Sequence, residues 1–141
     1  RRPAVTTDLI TGFPGETEAE FAETLAFIRR CGFARMHVFP YSERPGTPAA
    51  DMEQVPKSLR ADRARRAAEA AADMRRAYLE GCVGETYDVL FEQPNREAGF
   101  FLGHAPNYAE VLVKGEDLHN RVRPVHVTRT DGEALFGELE E

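Results

Sequence analysis

The stretch "DLITGFPGETEAEF", Asp8 to Phe21, decides the fold. A short apolar run ends in two glycines, Gly12 and Gly15, and an acidic segment follows at once. The whole run Ala4 to Phe13, "AVTTDLITGF", is rich in β-branched and apolar residues and reads as a buried strand. Pro14-Gly15 is turn chemistry: proline presets φ at the first central position, and glycine accepts a positive φ at the second. Thr17 to Glu20 has the form of a capping box, with the threonine accepting from the Glu20 amide and the glutamate reaching back. Phe21, Leu25 and Ile28 then recur at helical spacing, with Phe27 beside them, and Cys31-Gly32 supplies the stop.

Outward from this corner a second apolar run, "FARMHVF", covers Phe33 to Phe39 and ends at Pro40, which cannot donate to a central ladder. Strand, helix and strand at this spacing make a βαβ unit with parallel strands. After the loop "PYSERPGTPAADMEQV", Pro56 sits in the first turn of a long helix, rich in alanine and arginine, that runs to about Glu80. From Gly84 the texture changes. Runs at "TYDVLFE", "FFLGH", "NYAEVLV", "RVRPVHVT" and "ALFGEL" alternate with the turn segments "QPNREAG", "KGEDLHN" and "TDGE". Five short strands in so little chain predict a small closed or half-closed barrel of the OB type. The fold class expected is therefore α/β followed by all-β.

Charge marks the same boundary. Residues 1–83 hold 13 Lys/Arg and 12 Asp/Glu, whereas residues 84–141 hold 5 and 12, a net −7 within the chain's −6. With 42% hydrophobic and 30% charged residues among 141, the composition is that of a globular chain. No apolar run approaches the roughly 20 residues a membrane helix needs, so no membrane partner is expected. The start, "RRPAVTTDL", has no apolar core behind its arginines, so a signal peptide is not expected; without an initiator Met, Arg1 need not be the natural start. Cys31 and Cys82 lie at neither a disulfide nor a metal-ligand spacing, and read as reduced, partly buried thiols of a cytoplasmic protein.

In parallel α/β structures ligands gather at the carboxyl ends of strands. The loops leaving those ends here are "GFPGET" and "PYSERPGT". Gly12 and Gly15 leave room for a ligand to approach the backbone, and the amides at a helix N-terminus suit a carboxylate or phosphate. The competing reading is a tight strand-to-helix turn and nothing more. Neither G-x-x-x-x-G-K-[ST] nor G-x-G-x-x-G occurs. In the second loop Arg44 suits bidentate capture of an anion, or else forms a surface ion pair with Glu43 or Asp51. Tyr41 either stacks on a base or fills a core gap. The helix Lys57 to Arg76 carries a net +4 with its cations pointing around several faces, which reads as a solvated helix.

Three stretches carry a family resemblance: "TTDLITGFPGETEAEFAETLAFI", "MHVFPYSERPGTPAADMEQVP" and "GHAPNYAEVLV". In this order they resemble the C-terminal part of the radical SAM methylthiotransferases, most closely the branch acting on threonylcarbamoyladenosine in tRNA. "HVFPYS" and Asn107-Tyr108 favour that branch over the one acting on isopentenyl-adenosine, and "RPGT" argues against the branch that modifies a ribosomal protein. The resemblance implies that residues 1–80 are the last two strand–helix units of a partial (βα) barrel and residues 84–141 a TRAM barrel. It implies that Ile10, Gly12, Phe13, Gly15 and Glu16 line an S-adenosylmethionine pocket, and that Phe39, Pro40, Tyr41 and Ser42 hold the adenine. Arg44, His104, Asn107, Tyr108 and Lys114 are the expected substrate contacts, the partner being a tRNA anticodon stem-loop.

The same resemblance implies 4Fe-4S clusters, one of them ligated by C-x-x-x-C-x-x-C, and two isolated cysteines cannot supply these thiolates. A fragment is therefore expected, inactive alone, whose partner is an N-terminal part of the same polypeptide. A net −7 on an RNA-gripping module is a tension, since phosphate neutralisation supplies much of the affinity for nucleic acid. Either Lys114, Arg121, Arg123 and Arg129 cluster on one face, or the RNA is held elsewhere. His104 and Tyr108 read equally as a loop residue and a core aromatic. A free-standing RNA- or protein-binding module is the alternative class.

Overall fold

The computed structural model describes residues 3–94 and 99–140. Residues 95–98, the middle of the expected turn "QPNREAG", lie outside the described residues. The chain divides into two compact units, Val5–Met74 and Arg75–Glu141.

The first unit runs β1 (Thr6–Thr11), α1 (Glu18–Cys31), β2 (Arg35–Pro40), a short 3-10 turn (Pro48–Asp51) and most of α2 (Lys57–Glu80). β1 and β2 pair in parallel, in a register that sets Leu9 against Val38 and Ile10 against Phe39. β1 is shorter than the apolar run predicts, because Gly12 at φ +71° turns the chain out of the ladder. α1 starts on the expected capping box, with both reciprocal bonds made, and ends at Gly32 in the left-handed region. Its buried residues are Phe21 and Ile28, and Phe27 is exposed. Cys31 is also exposed, not partly buried: as the last residue of α1 it lies beyond the packed stretch of the helix. Ile28, Met36, Ala70 and Met74 form the core, with Leu9, Leu25, Phe33 and Val38 packed against it.

The second unit is a closed barrel of β3 (Thr86–Pro94), β4 (Phe100–His104), β5 (Glu110–Lys114), β6 (Arg121–Thr130) and β7 (Leu135–Leu139). The strand order is β3-β4-β5-β7-β6, with β5–β7 parallel and the other pairs antiparallel. Alternation sends Val89, Phe91, Val111, Val113, Val125, Val127 and Leu135 into the buried set. A Cβ on Gly103 would come within 2.6 Å of the Leu90 carbonyl oxygen, so only glycine lets β3 and β4 approach this closely. β5 begins at Glu110 and not at Asn107. The preceding residues are spent on a turn, in which the Tyr108 amide donates to the Ala105 carbonyl (2.9 Å) and Tyr108 sits at φ +60°. No helix among the described residues is long and apolar enough to cross a membrane.

Candidate functional site

The first glycine–proline corner is held from inside the protein. Glu16 turns back so that its carboxylate accepts from the Gly12 amide (3.0 Å) and from Arg63 (2.8 Å). Arg63 donates as well to the Glu16 carbonyl (2.9 Å), and its side chain is only 2% exposed. Glu16 is thus a brace whose charge is neutralised by a buried guanidinium. At the start of α1 the Glu20 amide donates to Thr17 Oγ1 (3.2 Å) and the Thr17 amide to Glu20 Oε2 (2.8 Å). The Thr17 amide first, and then the Thr17 hydroxyl donating at 3.1 Å, hold the Glu20 carboxyl below the usual range. The Thr17 and Glu20 amides at the start of α1, and the Gly12 amide before it, are thus engaged within the chain.

A second buried arginine holds the other corner. Arg60 donates to the Tyr41 carbonyl (2.9 Å) and pairs with Glu43 (3.2 Å), while the Thr11 hydroxyl donates to the Arg60 carbonyl (3.3 Å). Its stem fills the space that a Cβ on Gly12 would need. The reading of α2 as a solvated helix is therefore corrected at two positions. Arg60 and Arg63 lie on the same inward stripe as Ala67, Ala70 and Met74, at heptad-like spacing. Their aliphatic stems pack like core residues, and their heads reach loop carbonyls and carboxylates. Arg65 and Arg66 do stay at the surface, in ion pairs with Asp62, Glu69 and Glu18. The signal that exposes Arg60 and Arg63 is this shared periodicity, which charge counting conceals.

Above these braces the sheet presents an uncovered face. Ile10 is 55% and Phe39 52% exposed, side by side in the ladder. Asp8 and His37 neighbour them on the same face, 3.2 Å apart, a pair the sequence reading did not anticipate. The loops meet where Phe13 and Tyr41 stack edge to face at 5.3 Å, with Arg60 also against the Tyr41 ring. Tyr41 is half-buried, and its hydroxyl is enclosed without a hydrogen-bond partner. Pro40, Ser42 and Arg44 are exposed. Glu43, considered as a partner for Arg44, pairs with Arg60 instead. A hollow of about 410 Å³ opens beneath the second loop, lined by Tyr41, Ser42, Glu43, Lys57 and Arg60 but by none of the first loop. Gly15 is exposed, with open space where a side chain would stand.

On the barrel, His104 Nδ1 lies 2.6 Å from Glu92. Asn107 is committed to the fold: its carboxamide donates to the Tyr78 hydroxyl (3.2 Å) and accepts from the Ala109 amide (3.1 Å). That leaves Tyr108 presented at the tip of the turn, 83% exposed, which rules out a core role for it. Lys114 stands at the other end of β5, about 13 Å from the row of His104 at ~3.3 Å per residue. Among the described residues the four barrel cations Lys114, Arg121, Arg123 and Arg129 form two separate pairs. Arg121 and Arg123 face β3, whereas Arg129 and Lys114 flank the β7 and β4 aromatics. Among the described residues no three His, Cys, Asp or Glu side chains are grouped to hold a metal ion.

No protein-family profile matches the chain. Among curated proteins it is 39% identical over 131 residues to "Threonylcarbamoyladenosine tRNA methylthiotransferase MtaB" of Bacillus subtilis (strain 168). The match covers 89% of this chain and 29% of that relative, so the chain spans under a third of the relative's length.

Proposed function

We propose, for a chain that belongs to the MtaB-like family of radical SAM methylthiotransferases, that the whole protein methylthiolates threonylcarbamoyladenosine beside the tRNA anticodon. Residues 1–80 then close a partial (βα) barrel, and residues 84–141 are its TRAM domain. The observation that carries this reading, beyond the identity itself, is the two-stranded parallel sheet with one bare face. Parallel sheets are ordinarily covered on both faces. Here Ile10 and Phe39 lie open beside two braced loops at the carboxyl ends of their strands.

The chain's residues fit part of an S-adenosylmethionine seat. Ile10 and Phe39 offer an apolar platform for the adenine, Phe13 and Tyr41 wall it, and Pro40 and Ser42 continue the rim. Gly12, Gly15 and Glu16 shape the loop. Glu16 does so through Arg63, not by touching the ligand with a free carboxylate. Clusters held elsewhere in the whole protein, together with S-adenosylmethionine, would supply the radical chemistry and the methyl group. The two cysteines here do not form a cluster ligand set, one exposed and one buried, so no step is assigned to this chain. Its part is to seat the nucleoside and, through Arg44, His104, Tyr108 and Lys114, to meet the anticodon stem-loop, with Asn107 holding the turn that presents Tyr108. Alone the chain is inactive.

The test is anaerobic turnover of the full-length enzyme on tRNA bearing either threonylcarbamoyl- or isopentenyl-adenosine, with nucleosides read by mass spectrometry. Methylthiolation of the first alone supports the reading, and activity on the second alone moves the protein to the other branch. Arg44→Ala should raise KM for tRNA; an unchanged KM removes Arg44 from the substrate contacts.

A further inference from the structure

The bare face of the parallel sheet changes character along its strands. Register and alternation put three rows on it: Ile10 beside Phe39, Asp8 beside His37, and Thr6 beside Arg35. These residues are all exposed, whereas Thr11 and Met36 on the opposite side are buried. Adjacent rows lie about 6.6 Å apart, two residues of parallel strand. Only the first row is apolar. Asp8 Oδ1 and His37 Nδ1 are 3.2 Å apart. A carboxylate only accepts, so Nδ1 carries the proton and Nε2 is the ring atom left to meet a ligand. Arg35 stands in no ion pair among the described residues. Faces of parallel sheets are ordinarily apolar and covered. Covering this one without giving His37 and Arg35 partners would strand polar groups and a charge.

From this grading we propose that the two polar rows select the substrate nucleoside by its substituent, with His37 meeting the ureido linkage and Arg35 the terminal carboxylate. The inference rests on the threonylcarbamoyl reading above and deepens it. A threonylcarbamoyl group is a ureido linkage ending in threonine, so it brings N–H and O–H donors and one carboxylate. His37 Nε2, fixed as an acceptor by the proton on Nδ1, takes one of those donors. Asp8 is the positioning residue: it holds the ring and its tautomer without touching the substrate. The planar fork of Arg35 captures the carboxylate in the next row. An isopentenyl group has no donor and no carboxylate. On the same rows it would leave His37 and Arg35 unpaired once water is excluded. Sites built to hydrogen-bond a substrate reject the analogue lacking those groups far more strongly than apolar pockets reject an added one.

The test titrates the full-length protein with anticodon stem-loops carrying threonylcarbamoyladenosine, its methyl ester, isopentenyl-adenosine or plain adenosine. Native protein should favour the acid over its ester by about 10- to 100-fold, the range for hydrogen bonds to a charged group. Arg35→Gln should bind acid and ester alike. His37→Phe should weaken the threonylcarbamoyl stem-loop about 10-fold and leave the plain one unchanged. Asp8→Ala should match it, and Asp8→Asn, which keeps an acceptor for Nδ1–H, should recover part of the loss. An acid-over-ester preference that survives in Arg35→Gln overturns the proposal. So does an equal loss on all four stem-loops, which marks a structural role. Variants that weaken S-adenosylmethionine in equilibrium dialysis but keep the stem-loop ratios would give these rows to the cofactor, and also overturn it. Native preference for threonylcarbamoyl with unchanged ratios in every variant sinks this inference alone. Native preference for isopentenyl sinks the reading beneath it as well.

Discussion

Replacing Arg63 with methionine should cost the Val5–Met74 unit about 3 kcal/mol, the low end of the ~3–5 kcal/mol for breaking one side of a buried ion pair. Methionine refills much of the aliphatic volume, so the loss is chiefly electrostatic. Two bonds vanish, at 2.8 Å to the Glu16 carboxylate and 2.9 Å to its carbonyl. The carboxylate, 15% exposed, is left with the Gly12 amide as a remaining donor. Its residual contact with water is why the low end applies. Followed by helical circular dichroism in urea, a loss of this size moves the midpoint by roughly 1–3 M for ordinary slopes. In a Glu16→Gln background the same substitution should cost about 1–2 kcal/mol less, because no stranded charge remains. A midpoint shift below about 0.5 M, or an equal cost in both backgrounds, would refute the claim that Arg63 neutralises Glu16 and braces the first loop.

Three further outcomes follow from the same geometry. Gly12→Ala should destabilise by about 2–4 kcal/mol, from positive φ plus collision with the Arg60 stem, and Arg60→Ala in the same chain should recover part of it on thermal unfolding. Thr17→Ala removes the acceptor of the Glu20 amide and should cost about 1 kcal/mol, whereas Thr17→Ser should cost little on the same melts. Asp131 is held below the ordinary carboxylate range, first by the Ala134 amide and then by that of Glu133. A lowered folded value means the carboxylate stabilises the fold at pH above its unfolded value and loses that effect as pH falls through the folded one. The stability gap between native and Asp131→Ala chains should thus be flat above about pH 5 and shrink below about pH 4. A gap that widens on acidification would contradict the assignment.

What was legible in the sequence was what neighbours along the chain decide. The capping box at Thr17–Glu20 and the Gly32 stop rest on bonds within a few residues, and the period-two runs of the barrel on the alternation of neighbouring side chains along each strand, so their residue types announce them. The glycine–proline corners announced themselves for the same reason. Only the tertiary structure decided what stands behind those corners. Arg60 and Arg63 look like surface charge until loops 19 and 47 residues away supply acceptors for them. The Asp8–His37 pair needs the parallel register, and the Phe100–Phe136 contact needs β4 and β7 to flank β5, because both join residues far apart in sequence. Asn107 and Tyr108 show the division most plainly. Their sequence marked a turn worth noting, but the buried hydroxyl of Tyr78 turned one inward, and a left-handed backbone pointed the other to solvent.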